Sequence, residues 1–170
     1  SRNEGEPPRN VLFLLQEAQR ADVTCIQYDP DCTKATRSSN IEAPRRLPLL
    51  QMRSNSSATA VSLSNLWSGV SPAAPREVIL STPLLWEFAR AAGLHTAYWT
   101  SQHMSFGNAR LYVMDLPLDL GCYATDLDWQ ADLFAGARDA DLTSRVIRDW
   151  DSLKEPFFAV VQYSNIHMPS

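Results

Sequence analysis

Two continuous apolar runs frame the chain, and between them hydrophobic positions recur mostly at helical spacing. Asn10-Val11-Leu12-Phe13-Leu14-Leu15 is one run, and Phe157-Phe158-Ala159-Val160-Val161-Gln162-Tyr163 is the other. Runs of this length without polar alternation predict parallel strands buried on both faces. Thr82 to Gly93 gives the clearest helix, with Thr82 as its cap, Pro83 in the first turn and Gly93 at its close. Leu84, Leu85, Phe88 and Ala92 form its predicted buried stripe. Thr96 to Thr100 then reads as a strand. Trp129 to Ala137 and Asp141 to Leu153 both show helical spacing; in the second, Leu142, Val146, Ile147 and Trp150 share a face, and Pro156 ends the helix. Phe106 to Asp128 is mixed and predicts an insertion or a substrate-facing loop. The alternation of strand and helix predicts an α/β fold, a mostly parallel sheet with helices on both faces.

One stretch combines this patterning with candidate chemistry. Asn55 to Gly69 carries a dense set of hydroxyl residues into a short apolar segment, Val61, Leu63, Leu66 and Trp67. It predicts a polar loop feeding a helix, with Gly69 and two prolines after it as the stop. Thr59 stands at the junction. A hydroxyl there either caps free backbone N–H groups or is presented as a nucleophile where those groups attract a tetrahedral anion. Glu17 stands at the exit of the first strand, where ligands of open α/β sheets collect. It serves either as a metal ligand or acid–base group, or as a carboxylate complementing a helix dipole. His103 follows the Thr96 to Thr100 strand and reads as a ligand contact or as a structural or solvated imidazole. Asn165, His167 and Pro169 follow the last strand.

Composition changes this picture little. The chain has 170 residues, 45% of them hydrophobic, enough for one core. A net charge of -4 and a pI near 5.3 leave no footprint for nucleic acid. Residues 1–9 have linker composition, with Gly5, Pro7 and Pro8 among charges. Ala21 to Arg53 reads as an excursion over the top of the sheet, its arginines either meeting an anionic substrate or solvated. The ends read as cut, so that residues 10–170 are expected to be a fragment of a longer protein. Cys25 and Cys32 flank a turn; spacing allows a local disulfide or two separate thiols, and Cys122 stands apart.

Taken in order, these pieces resemble a known family. Asn10 to Asp22, with Glu17 and Arg20, resembles the opening strand and first metal ligand of the sulfatase branch of the alkaline phosphatase superfamily. Thr59-Ala60-Val61-Ser62, then Leu66-Trp67-Ser68-Gly69, looks like its nucleophile motif. Leu85 to Gly93 is similar to the helix before the next strand, and Pro156 to Pro169 resembles the strand ending in a substrate-binding histidine. The resemblance implies an alkaline-phosphatase-like sheet, present here as a partial domain. It departs from the Cys-x-Pro-Ser-Arg motif of sulfate-ester hydrolases, since Thr59 takes the cysteine's place and Leu63 the arginine's. A threonine nucleophile looks like the phosphoethanolamine and phosphoglycerol transferases of the superfamily. The chain lacks the Asp-His pair that completes the family's metal site, so this segment is expected to be inactive alone.

The resemblance implies Thr59 as nucleophile, Glu17 and Thr59 as ligands of a divalent metal, and His167 and Arg20 as substrate-binding residues, Arg20 buttressing Glu17. Zinc is the metal implied by the threonine branch, with manganese and calcium as alternatives. The implied substrate is a phosphate or sulfate ester, lipid-linked in some relatives, acted on outside the cytoplasm by a protein anchored through segments beyond this one. A non-catalytic domain that binds an anion or a partner is the alternative. Nucleotide binding is disfavoured, because no Gly-rich loop follows the first strand.

Overall fold

Four strands, β1 (Val11–Gln16), β2 (His95–Thr100), β3 (Leu120–Cys122) and β4 (Phe157–Tyr163), pair in parallel in the order β1-β4-β2-β3. The computed structural model describes residues 9–18, 54 and 56–164. The chain divides into two compact units, Ser1–Glu17 with Asn55–Ser170, and Ala18–Ser54. All elements named below belong to the first. The α/β architecture expected from the sequence is therefore present, a parallel sheet with helices packed on both faces. No helix among the described residues is long and apolar enough to cross a membrane.

β4 occupies the sheet centre because its residues suit burial on both faces, and all but Tyr163 are buried. Asn10 fixes its start: the Asn10 side chain donates to Glu155 at 2.6 Å and accepts from the Phe157 amide at 3.1 Å. The pleat then sorts side chains by parity. Phe158, Val160 and Tyr98 face helices α1 (Thr59–Ser68) and α3 (Leu85–Ala91), where Trp67 and Trp86 fill the space. Trp86 is central to this side. Its ring lies 5.1 Å from Trp67 and 5.6 Å from Phe158, and its indole N–H donates to the Ala97 carbonyl at 3.0 Å. Ala97, Trp99, Ala159 and Val161 face the other way, toward Leu142 on α6 (Asp139–Asp149). There Asp149 ties helix to sheet, accepting from the Trp99 indole at 3.0 Å and from Arg145 at 2.7 Å.

Several expectations need correction. Among the described residues β1 is an edge strand, and Val11, Leu12 and Leu14 are exposed; only Phe13 and Leu15 reach the core. The helix expected from Thr82 starts later, at Leu85, because Glu87 accepts from the Leu84 amide at 2.7 Å and sets the first turn there. Thr82 instead ends a preceding helix, α2 (Arg76–Ser81), by donating its hydroxyl to the Val78 carbonyl at 2.6 Å. The buried face of α3 is Trp86 and Ala89, and Phe88 is exposed, as is Ile147 on α6. Residues 129–137 form no helix: Asp132 accepts from the Phe134 and Ala135 amides at 2.8 Å each, an Asx turn that competes with helical bonding. Phe106 to Asp128 is more than a loop, since it holds α4 (Arg110–Val113), β3 and α5 (Ala124–Leu127). Residues 1–8, with most of the linker, lie outside the described residues, as do Cys25, Cys32 and the arginines from Arg37 to Arg53.

Candidate active site

Strand parity places Glu17. Phe13 and Leu15 point to the α1 face, so Glu17, two residues on, points the same way at the carboxyl end of the sheet. Its amide continues the ladder, donating to the Tyr163 carbonyl at 3.1 Å, and the side chain is buried at 8% exposure. The chain turns away at once through Ala18, whose φ of 59° is uncommon for a residue with a β-carbon.

Thr59 is the first residue of α1. The cap position belongs to Ala58, in extended conformation and with no side-chain cap, so Thr59 does not cap the helix. Serines hold the entry instead. Ser56 Oγ accepts from the Ala58 amide at 3.1 Å, and Ser62 donates its hydroxyl to the Ser56 carbonyl at 2.9 Å. The Ser62 of the nucleophile-like motif is thus a clasp on the turn that presents Thr59. Gly107 lies against this turn, where a β-carbon would come within 3.0 Å of the Ala60 β-carbon.

The two site residues meet. Thr59 donates its hydroxyl to Glu17 Oε1 at 2.5 Å, across 42 positions of sequence. The other carboxylate oxygen, Oε2, accepts from Gln162 Nε2 at 3.1 Å. Gln162 Nε2 also donates to Gln102 Oε1 at 2.7 Å, and Gln162 Oε1 accepts from the Tyr98 hydroxyl at 2.5 Å. Sequence reading missed Gln162, Gln102 and Tyr98. The signal available was parity: Gln162 and Thr100 pair in register, and Gln162 also pairs with Leu15, which shares its face with Glu17.

Two tyrosines flank this network, Tyr98 buried and Tyr112 partly buried. Burial pushes the Tyr98 hydroxyl well above the ordinary tyrosine range, with Tyr112 adding to the effect, so Tyr98 stays protonated. Tyr112 is pushed up to about 12 by burial and then by the charge of Glu17. Beside this network, Ser101 donates to Asp139 at 2.6 Å, and the Ser164 amide donates to Ser101 Oγ at 3.0 Å and to Asp139 at 3.2 Å. These bonds fasten the exit of β4. His103 Nδ1 accepts from the Ser105 amide at 3.1 Å, which gives the imidazole a structural role in its own turn. Arg20 and His167 lie outside the described residues.

A buried carboxylate and a hydroxyl 2.5 Å apart form a hard oxygen donor pair suited to a divalent cation. They furnish two ligands. Among the described residues no group of three His, Cys, Asp or Glu side chains is placed to hold a metal ion.

The family model for Sulfatase matches residues 9–170. The chain belongs to that family, and carries a sulfatase-type domain of the alkaline phosphatase superfamily, with ester-cleaving chemistry of the sulfate and phosphate class. No curated protein and no solved structure matches it.

Proposed function

We propose that this Sulfatase-family chain is the nucleophile-bearing part of a metal-dependent hydrolase or transferase of phosphate or sulfate esters, in the threonine branch that includes phosphoethanolamine and phosphoglycerol transferases. The observation that carries this reading is the 2.5 Å hydrogen bond from Thr59 to Glu17. Glu17 is buried while Thr59 is only part-buried, which leaves the hydroxyl within reach of a substrate, and the helix start beside it supplies amides for an anion.

In this reading Thr59 Oγ1 attacks the phosphorus or sulfur in line, forming a covalent ester as the bond to the leaving alcohol breaks. The hydroxyl proton passes toward Glu17, the group already accepting it. Water or an acceptor alcohol then attacks the covalent ester and releases Thr59. A divalent metal, zinc in this proposal, would be held by Glu17 and Thr59 and supply the Lewis acidity that lowers the hydroxyl's pKa. Leu63 stands where the cysteine-dependent sulfatases carry arginine, which favours the threonine branch over sulfate-ester hydrolysis. His167 and Arg20 are assigned to substrate oxygens and to Glu17 by resemblance. We further propose, from the same resemblance, a domain that works outside the cytoplasm on a lipid-linked ester and is membrane-anchored in the full-length protein.

The test is Thr59→Ala in the full-length protein, with the covalent intermediate trapped by acid quench and located by mass spectrometry. The expected result is loss of both the intermediate and turnover. Turnover at the wild-type rate overturns the assignment.

A further inference from the structure

The same site contains a residue whose burial needs a reason. Gln162 is fully buried in the central strand, where its neighbours on that face, Phe158 and Val160, are apolar. Packing alone would be served by another aliphatic side chain, and a buried amide is costly unless its hydrogen bonds are made. In this protein they are made, and all of them run toward Glu17 or stabilise the amide that does.

The direction of each bond is forced by chemistry. An ionised carboxylate only accepts, so the Gln162 group facing Glu17 must be the NH₂. That leaves Gln162 Oε1 facing Tyr98, whose hydroxyl donates to it. Gln102 presents its carbonyl oxygen to the second N–H of the same NH₂. Turning the amide over would set Gln162 Oε1 against both the carboxylate and the Gln102 oxygen, so one orientation is locked. With Gln162 on a strand paired on both sides, Glu17 Oε2 is held to a rigid point and Oε1 is left facing Thr59.

We infer that Gln162, itself fixed by Tyr98 and Gln102, is the positioning residue that holds the Glu17 carboxylate in register with Thr59. This rests on the proposed function in giving Glu17 and Thr59 a joint task, and it adds a residue to which no role is otherwise assigned. Groups that orient a metal-binding carboxylate typically change metal affinity or activity by about 10–100-fold when removed.

The experiment uses the full-length protein with Gln162→Leu, Tyr98→Phe and the double variant. Three quantities are read: melting temperature in chelator, zinc affinity by competition with a chelating dye, and kcat and KM on p-nitrophenyl phosphate esters. Gln162→Leu should weaken zinc about 10–100-fold and lower kcat by a similar factor with KM within about twofold. Tyr98→Phe should shift both the same way by a smaller factor, and should add nothing in the Gln162→Leu background, because it acts only through the amide. Unchanged zinc affinity in folded Gln162→Leu overturns the inference, as do effects of the two substitutions that simply multiply. If Gln162→Leu does not fold, Tyr98→Phe decides on zinc affinity alone. Failure of the nucleophile assignment is read separately, from Thr59→Ala turnover, while the zinc measurement still judges Gln162.

Discussion

Gly136 lies so close to Ser101 that a β-carbon at position 136 would sit 2.1 Å from the Ser101 carbonyl oxygen. The contact seats the 132–136 turn on the end of β2, and the next residue seals it, the Ala137 amide donating to that carbonyl at 2.8 Å. Gly136 also has φ of 70°, a conformation side chains rarely adopt. Both constraints act together. Gly136→Ala should therefore destabilise the protein by about 2–4 kcal/mol, above the ordinary cost of a surface substitution. Urea denaturation measures it, and a change within about 0.5 kcal/mol would show that the turn is not seated as described.

Trp86 permits a separation of packing from hydrogen bonding. Trp86→Ala empties the space between Trp67, Tyr98 and Phe158, and should cost about 3–5 kcal/mol. Trp86→Phe keeps part of the ring contact but leaves the Ala97 carbonyl without its indole donor, adding about 1–3 kcal/mol to whatever volume loss costs. Denaturation of both variants should therefore rank Ala well below Phe, with Phe clearly below wild type.

The acid limb of stability should reflect Asp119, which links β3 to the start of β2. Burial raises its carboxyl pKa, but the Thr96 amide, Arg90 and His95 together more than offset this and hold it below the ordinary 3.8. The folded state thus binds the carboxylate form more tightly than the unfolded chain does. Its contribution is complete above the ordinary carboxylate range and is lost as pH falls through the lowered value. Asp119→Asn should be less stable than wild type at neutral pH, and the gap should close as pH falls through the acid range below the ordinary 3.8. Melting temperatures of the two proteins across that range provide the measurement.

Cys122 should be unreactive. Burial pushes its thiol from the ordinary 9.0 to about 11, which reduces thiolate at neutral pH roughly 100-fold. Iodoacetamide followed by peptide mass spectrometry should label Cys122 only after unfolding. Rapid labelling of the native protein would mean that β3 opens easily.

What could be read from the sequence depended on run length and on what a polar residue at a strand end signifies. β1 and β4 were legible because each is a long apolar run, and Glu17 and Thr59 because each stands where an element starts or stops. β3 was not, since Leu120-Gly121-Cys122 is too short for any period to show. The 129–137 segment misled because its helical spacing outweighed one aspartate, Asp132, whose carboxylate binds two local amides. Leu12 and Leu14 are as apolar as Phe13 and Leu15; composition alone cannot say that β1 is an edge. Gln162 was hidden for another reason. A glutamine near the end of an apolar run reads as the run's end, and only register against Leu15 and Thr100 turns it inward toward Glu17.

Glu17→Gln separates the charge of the carboxylate from its shape. The introduced amide can keep its oxygen toward Thr59 and turn its NH₂ toward Gln162. Gln162 and Gln102 then both turn over, and Tyr98 changes from donor to acceptor, so every member of the network keeps a partner. The fold should survive with little change in melting temperature. What is lost is the anion, and with it both the proton acceptor for Thr59 and a charged metal ligand. Turnover should fall by about 10²–10⁴-fold, and zinc affinity with it. Glu17→Asp keeps the charge but withdraws it by one methylene, and should cost about 10²-fold through misplacement. Activity above about a tenth of wild type in folded Glu17→Gln would show that the charge is unused. In that case the 2.5 Å bond between Thr59 and Glu17 would serve only to hold the start of α1 against the end of β1.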